Sequence, residues 1–282
     1  MGICSYCGQS AGWFHSTHEE CVQRAAQGVE CLKQTVADAV LSGKRFIDIE
    51  PILSSLRTEH QVPDQQAASA TKDGWNVGAK ERSVKEPISP DEFDTVSDLY
   101  NGVGFDEEIW RTPGGRDMTF SNLIWTVLHD QIIPYGGPIQ FNLQHGEIPF
   151  FAMANVLISE QRTTSSYVGG FQGVSIRVAN GLYYRLGEVR GHRAESTSLQ
   201  EIDYGDFLVT TDNVYFSGHE HGTNFRIAFK QVIRFQPYTD AVGICKDASR
   251  EKIFAPQHVE NCGWFLFNVL QALAARDAGA RT

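Results

Sequence analysis

Cys4, Cys7 and Cys21 fall within the opening stretch of a 282-residue chain, with His15 and His18 between the second and third of them. Thiols and imidazole this close in sequence are the ligand types of tetrahedral zinc, contributed by two short, rigid pieces of chain. Cys4-Ser5-Tyr6-Cys7-Gly8 is the first piece. Gly8 suits the tight turn that aims backbone N–H groups at sulfur, because a residue without Cβ tolerates positive φ. The second piece is Ser16-Thr17-His18-Glu19-Glu20-Cys21, where Ser16 followed by Glu19 reads as a capping box that starts a helix. His18 and Cys21, three residues apart, then share a helix face, and the positive end of the helix favours the thiolate. The expected ligands are Cys4, Cys7, His18 and Cys21, with His15 as the competitor of His18 and free thiols as the bland alternative. Four filled positions make a closed site, so the expected cofactor is one structural Zn2+ that does not activate water. Cys31, Cys245 and Cys262 are scattered singly, which is no disulfide framework.

Other candidates for chemistry are thin, and no catalytic residues are assigned. His219-Glu220-His221 sits between Gly218 and Gly222, and together with Asp212 it is the basis of an alternative reading as a metal-dependent hydrolase. His145-x-Glu147 is weaker still, and His129 reads as a surface histidine. No nucleophile elbow, phosphate loop or His-Glu-x-x-His occurs, and Gly169-Gly170 with Gly173 lacks the strand-turn-helix setting of a dinucleotide site. Arg177, Arg185, Arg190 and Arg193, with His192 among them, form a candidate anion or partner patch; the competing reading is a solvated face balanced by Glu188 and Glu195.

The elements that must position these residues change character along the chain. Residues 1–24 make the zinc element. Residues 25–57 are helical: Val22, Ala25, Val29, Leu32, Val36 and Val40 recur at three and four residues until Gly43, and a second short helix covers Phe46, Ile49, Leu53 and Leu56. Residues 58–88 turn to Gln, Ala, Ser, Thr, Lys and Gly and read as a polar linker, with Trp75 as an isolated aromatic that docks on a neighbour, packs locally or stands in solvent. Residues 89–139 read as a small helical unit. It opens on Ser89-Pro90-Asp91-Glu92, a strong helix start, and its second helix runs from about Thr119 to Ile133 before Pro134.

Residues 140–282 read as a β-domain with a closing helix. Short apolar or alternating runs extend from Phe150–Ile158 to Ile253-Phe254, and an amphipathic helix carries Trp264, Phe265, Phe267, Val269, Leu270 and Leu273. The expected fold class is therefore α+β: a small zinc element and helices, then an antiparallel bent sheet or open barrel closed by a C-terminal helix.

Composition bounds the partners. The chain is 41% hydrophobic and 21% charged, enough apolar material for one or two cores. Its formal net charge is -10; residues 1–139 hold 11 Lys and Arg against 20 Asp and Glu, and residues 140–282 hold 13 against 14. Such a balance disfavours nucleic acid, whose binding draws on Lys and Arg meeting phosphate, and Arg24 is the one fixed cation of residues 1–30. No run is apolar enough to span a bilayer and Met1-Gly2-Ile3-Cys4 does not resemble a signal peptide, so a cytoplasmic protein is expected.

From about Gln144 to Ala275 the chain resembles the PH-like or GRAM-like domains of bacterial proteins. The most specific piece is Gly205-Asp206-Phe207-Leu208-Val209-Thr210-Thr211-Asp212-Asn213-Val214-Tyr215-Phe216-Ser217-Gly218, similar to that family's strand-turn-strand signature, with Phe207, Val209, Val214 and Phe216 facing inward. Phe229–Phe235 resembles the next strands, with Gln231-Val232 where a Lys-Ile step is common. Tyr238-Thr239-Asp240-Ala241-Val242 resembles an Asp-Gly turn, with Ala241 in the glycine's place. Tyr167–Val178 with Gly181–Arg185 resembles uncharacterised bacterial proteins that join a Cys/His zinc element, a helical middle and such a β-domain. The resemblance implies a docking module for protein, peptide or lipid. The expected function is a non-enzymatic interaction or adaptor protein with another protein as partner; the alternative is peripheral association with anionic lipid headgroups.

Overall fold

The first long helix begins one residue after His18, and much of the amino-terminal half is built against it. The computed structural model describes residues 2–12, 15–166, 176–179, 182–184, 194–246 and 250–279. The chain divides into two compact units, Met1–Thr126 and Val127–Thr282.

The first unit opens with the hairpin β1 (Gly2–Ile3) and β2 (Ser10–Gly12), followed by α1 (Glu19–Leu41), α2 (Phe46–Glu59), α3 (Asp64–Ser83), α4 (Pro90–Gly102) and α5 (Pro113–Leu128), whose last two residues belong to the second unit. The apolar stripe of α1 buries Ala25, Leu32, Val36 and Val40 as its spacing predicts, and the chain leaves the helix through Gly43 at φ +64. Ser89 caps α4, accepting the Glu92 N–H while the Glu92 carboxylate accepts the Ser89 N–H.

Three expectations fail in this unit. The stretch 58–88 is not a polar linker: most of it is the 20-residue helix α3, packed along α1. Besides Trp75, Arg82 and Ser83, its buried residues are Ala67, Ala70, Thr71, Gly74, Gly78 and Ala79, too small to register as a hydrophobic stripe. They let two backbones approach so closely that a Cβ on Gly74 would stand 2.2 Å from the Lys33 carbonyl oxygen. Trp75 is wholly buried, stands edge-on to Tyr100 and Phe105, and donates its indole N–H to the Val96 carbonyl at 3.1 Å. The helix expected over Thr119–Ile133 starts six residues earlier and stops at Leu128. Thr112 caps it by accepting the Gly115 N–H, Pro113 takes its first position, and Asp130 at φ +60 turns the chain away. Finally, Ser16 does not cap α1; His18 occupies that position.

The second unit contains one antiparallel sheet of seven strands in the order β8-β7-β6-β3-β11-β10-β9. These are β3 (Pro149–Ser166), β6 (Ala194–Thr210), β7 (Asn213–Gly218), β8 (Asn224–Ala228), β9 (Val232–Pro237), β10 (Val242–Lys246) and β11 (Lys252–Pro256). A separate hairpin pairs β4 (Ile176–Ala179) with β5 (Leu182–Tyr184). In the β6–β7 hairpin Gly205 faces Gly218, Phe207 faces Phe216 and Val209 faces Val214, and all four apolar residues are buried as the alternation predicts. The helix α6 (Gly263–Gly279) packs on β9, β10 and the 3-10 turn Phe229–Gln231, with Phe265 5.1 Å from Phe151. The expected α+β class, with an antiparallel sheet closed by a C-terminal helix, is what the structure contains.

Candidate metal centre

The hairpin β1–β2 folds the first ligand pair. Cys4 N–H donates to the Gln9 carbonyl at 2.7 Å and Gly8 N–H to the Cys4 carbonyl at 2.9 Å, while Gly8 takes φ +71. This is the tight turn that the glycine after the second cysteine predicts. The second pair comes from the start of α1. His18 is the N-cap, with extended backbone, and its carbonyl accepts from the Cys21 and Val22 N–H groups, each at 3.1 Å. N-cap and N3 side chains meet at a helix start, as the reciprocal bonds of a capping box show. Here these two positions hold His18 and Cys21, so the capping box gives way to a pair of metal-ligand side chains.

One ligand atom from each of Cys4, Cys7, His18 and Cys21 lies within 4.8 Å of the others, and this is the one such group found among the described residues. His18 Nδ1 is 3.4 Å from Cys7 Sγ and 3.7 Å from Cys21 Sγ. Bonds of about 2.0 and 2.3 Å at a tetrahedral angle require an N-to-S separation of roughly 3.5 Å. His18 Nε2 stands 3.1 Å from the Ser10 carbonyl, so a proton there leaves Nδ1 with the lone pair aimed at the thiols. His15, the competing ligand, is exposed and outside the group.

Electrostatics also fit a cation. Burial pushes the Cys4 thiol up, but backbone N–H groups of Cys7, Tyr6 and His18 outweigh it and hold the pKa down to about 6. Cys21 moves the opposite way, pushed up to about 11 by burial and then by Cys7 and Cys4 beside it. Three thiols this close cannot all ionise without a positive charge among them. Cys4 and Cys21 are buried while Cys7 and His18 are half-buried, and four donors would fill a tetrahedral site.

The remaining candidate residues do not gather in this way. Arg177 lies in β4 opposite Tyr183, and Arg185, Arg190 and Arg193, with His192, lie outside the described residues. His219 Nε2 is 3.1 Å from Asp206 Oδ2, and its neighbour His221 gives its backbone N–H to Asp203. These two histidines and Asp212 form no metal-binding group with other residues among those described.

Two carboxylates organise the β-domain in roles that no motif assigns, although Glu147 belongs to the weak His145-x-Glu147 pair. Asp203 is buried and accepts backbone N–H groups of Glu220, His221 and Thr223 at 3.0 to 3.1 Å, which ties the 218–223 loop to β6. Burial raises its pKa, but these bonds win and hold it near 2. Gly218 leaves the room: a Cβ there would meet the Asp203 carboxylate at 2.0 Å. Glu147, half-buried, accepts from Asn213 Nδ2, from the Tyr215 hydroxyl at 2.7 Å and from the Gln144 N–H at 3.3 Å. No sequence signal marks these bonds, since the partners lie 17 to 20 residues away for Asp203 and 66 to 68 for the two Glu147 side-chain partners.

No family model matches the chain, and no curated protein matches it either. Among solved structures it is similar to a Vps36 N-terminal PH domain, at 9% identity over 52% of this chain and 93% of that one, with a TM-score of 0.29. Among the described residues no helix is long and apolar enough to cross a membrane.

Proposed function

We propose that the chain is a non-enzymatic interaction protein in which Cys4, Cys7, His18 and Cys21 hold one structural zinc ion and the β-domain docks a protein or peptide partner. The zinc reading is supported by the donor set: three thiols and one imidazole nitrogen of fixed tautomer, all within 4.8 Å of one another, suit Zn2+ better than hard cations that prefer oxygen. Bound there, zinc would join the β1–β2 hairpin to the start of α1. Thiols kept for a metal also suit a reducing, cytoplasmic setting.

The docking reading is carried by one observation. The seven-stranded sheet is open, and its outer strands β8 and β9 each lack a neighbour on one side among the described residues. Outer strands present unpaired N–H and C=O groups, and natural proteins cover or disrupt such edges unless another chain uses them. On β9, Ile233 is 67% exposed. The sequence pattern from Gly205 to Gly218, its hairpin now seen in register, supports placing 140–282 with PH-like docking modules.

The test combines metal analysis with affinity capture of the full chain from cells of its source, followed by binding of any retained protein in purified form. About one zinc per chain, lost on Cys4→Ser, and a partner that binds directly are expected. A chain that carries no zinc and retains no protein overturns the reading.

A further inference from the structure

On the outer face of the sheet, beside β8, whose outer edge has no neighbour among the described residues, lies a recess of about 300 Å³ whose lining includes His145, Glu147, Asp212, Asn213, Arg226 and Lys230. Its floor follows from strand register. Arg226 stands directly opposite Tyr215, and Ala228 opposite Asn213, so these side chains share one face, while Phe225 and Ile227 point the other way into the core. The 138–148 segment crosses this face: Phe141 lies 5.8 Å from the Tyr215 ring, and Glu147 is bonded to both Asn213 and Tyr215.

The hydrogen-bonding groups are unequally committed, although the Glu147 and Asp212 carboxylates keep their charges. The Glu147 carboxylate is taken up by three donors of its own surroundings, and the Asp212 carboxylate accepts from the Thr211 hydroxyl at 2.9 Å. Arg226 reaches the Tyr215 hydroxyl, and neither it nor Lys230 forms an ion pair among the described residues. Both are exposed. A guanidinium and an ammonium with no carboxylate partner among the described residues thus stand next to a strand whose outer edge has no neighbour among them. Residues 140–282, with 13 Lys and Arg against 14 Asp and Glu, are close to neutral.

We propose that β8 is the docking edge and that its occupant is an extended acidic peptide segment, whose backbone pairs with β8 while a carboxylate side chain meets Arg226 and Lys230. Main-chain bonding supplies affinity without regard to sequence, and the two cations select an acidic residue at the alternate positions that face the recess. This rests on the docking reading above and chooses its edge and its chemistry.

The test uses the full zinc-loaded chain and a fluorescent acetylated peptide of alternating valine and glutamate, about eight residues long, with a valine and lysine counterpart as control. Anisotropy should show binding of the acidic peptide that weakens as salt rises, and binding of the lysine peptide about tenfold weaker or absent. Arg226→Glu with Lys230→Glu should weaken the acidic peptide by about tenfold or more, while Arg226→Lys retains much of it; unchanged circular dichroism excludes misfolding. Amide exchange at Phe225–Ala228 should slow on binding. Full-strength binding to the double variant with protection along β9 overturns the β8 assignment and leaves peptide docking standing. Protection at neither edge removes both. Phosphatidylserine vesicles that bind the chain, and lose it through the same double variant when the peptide does not bind, would assign the two cations to a lipid surface and overturn the peptide.

Discussion

The Nε2 of His18 lies 3.1 Å from the Ser10 carbonyl oxygen, which turns Nδ1 toward Cys7 and Cys21. A backbone carbonyl of the hairpin therefore sets the tautomer of a side chain at the helix start, and the two pieces of chain become one ligand set. His18→Ala removes a donor and the cap position's side chain together. It is expected to reduce zinc from about one per chain to near none after gel filtration, whereas Cys31→Ser leaves it unchanged. Chelation should destabilise the chain by about 4 kcal/mol where free zinc stands a thousandfold above its dissociation constant. Faster exchange at the Cys21 and Val22 amides, both bonded to the His18 carbonyl, would locate the effect. A His18→Ala chain that keeps its zinc would sink this assignment.

Asp203 makes stability depend on acid. Its folded pKa near 2 lies below the ordinary carboxyl value of 3.8, so its contribution is complete above about 4 and is lost as pH falls toward 2. Asp203→Asn keeps the shape and removes the charge. The variant is expected to be less stable than the parent at pH 7, by about 1–3 kcal/mol for weakened bonds to three backbone donors, and the gap should narrow as pH drops from 4 to 2. Urea midpoints of both proteins across that range check it; a gap that stays constant refutes the role of the charge.

How much could be read beforehand depended on how local the cause is. The grouping of Cys4, Cys7, His18 and Cys21 was legible because their spacing lies within 18 residues and each piece is shaped by its own turn or helix start. The β6–β7 hairpin was legible because Phe207, Val209, Val214 and Phe216 recur at alternate positions about a turn, even though Leu208 and Tyr215 on the other face are buried too. Helix α3 was not, because Ala, Gly and Thr bury against α1 by letting backbones approach, and such a face carries no hydrophobic period. The Ser16 capping box misled because Ser-x-x-Glu also occurs where the chain is still turning; the helix waits for His18, which the metal site needs at the cap. Asp203 and Glu147 act through partners far along the chain, beyond any local pattern.

Gly74 gives the sign of an effect that propensity alone gets wrong. Glycine inside an exposed helix costs up to about 1 kcal/mol relative to alanine, so Gly74→Ala would stabilise an unpacked α3. Against α1 the added Cβ meets the Lys33 carbonyl oxygen and carbon, at 2.2 and 3.0 Å, and backbone cannot step aside as a side chain does. The variant is expected to lose about 1–3 kcal/mol by urea unfolding. A raised midpoint would show that α3 does not pack on α1 as described.

Trp75 and Val77 lie two residues apart on α3 and separate the buried helix from a solvated linker. In a linker, both substitutions to alanine would be nearly silent. In the structure Trp75 is fully buried among Tyr100 and Phe105 and bonded to Val96, while Val77 is 46% exposed. Trp75→Ala should therefore cost about 3–5 kcal/mol, and Trp75→Phe about 1–3 for the lost volume and the lost donor. Val77→Ala should stay within about 0.5 kcal/mol. Chemical denaturation followed by circular dichroism distinguishes them. Equal, small losses at the two positions would mean that the aromatic anchor does not hold α3 against α4, and with it the account of how this unit buries its core would fall.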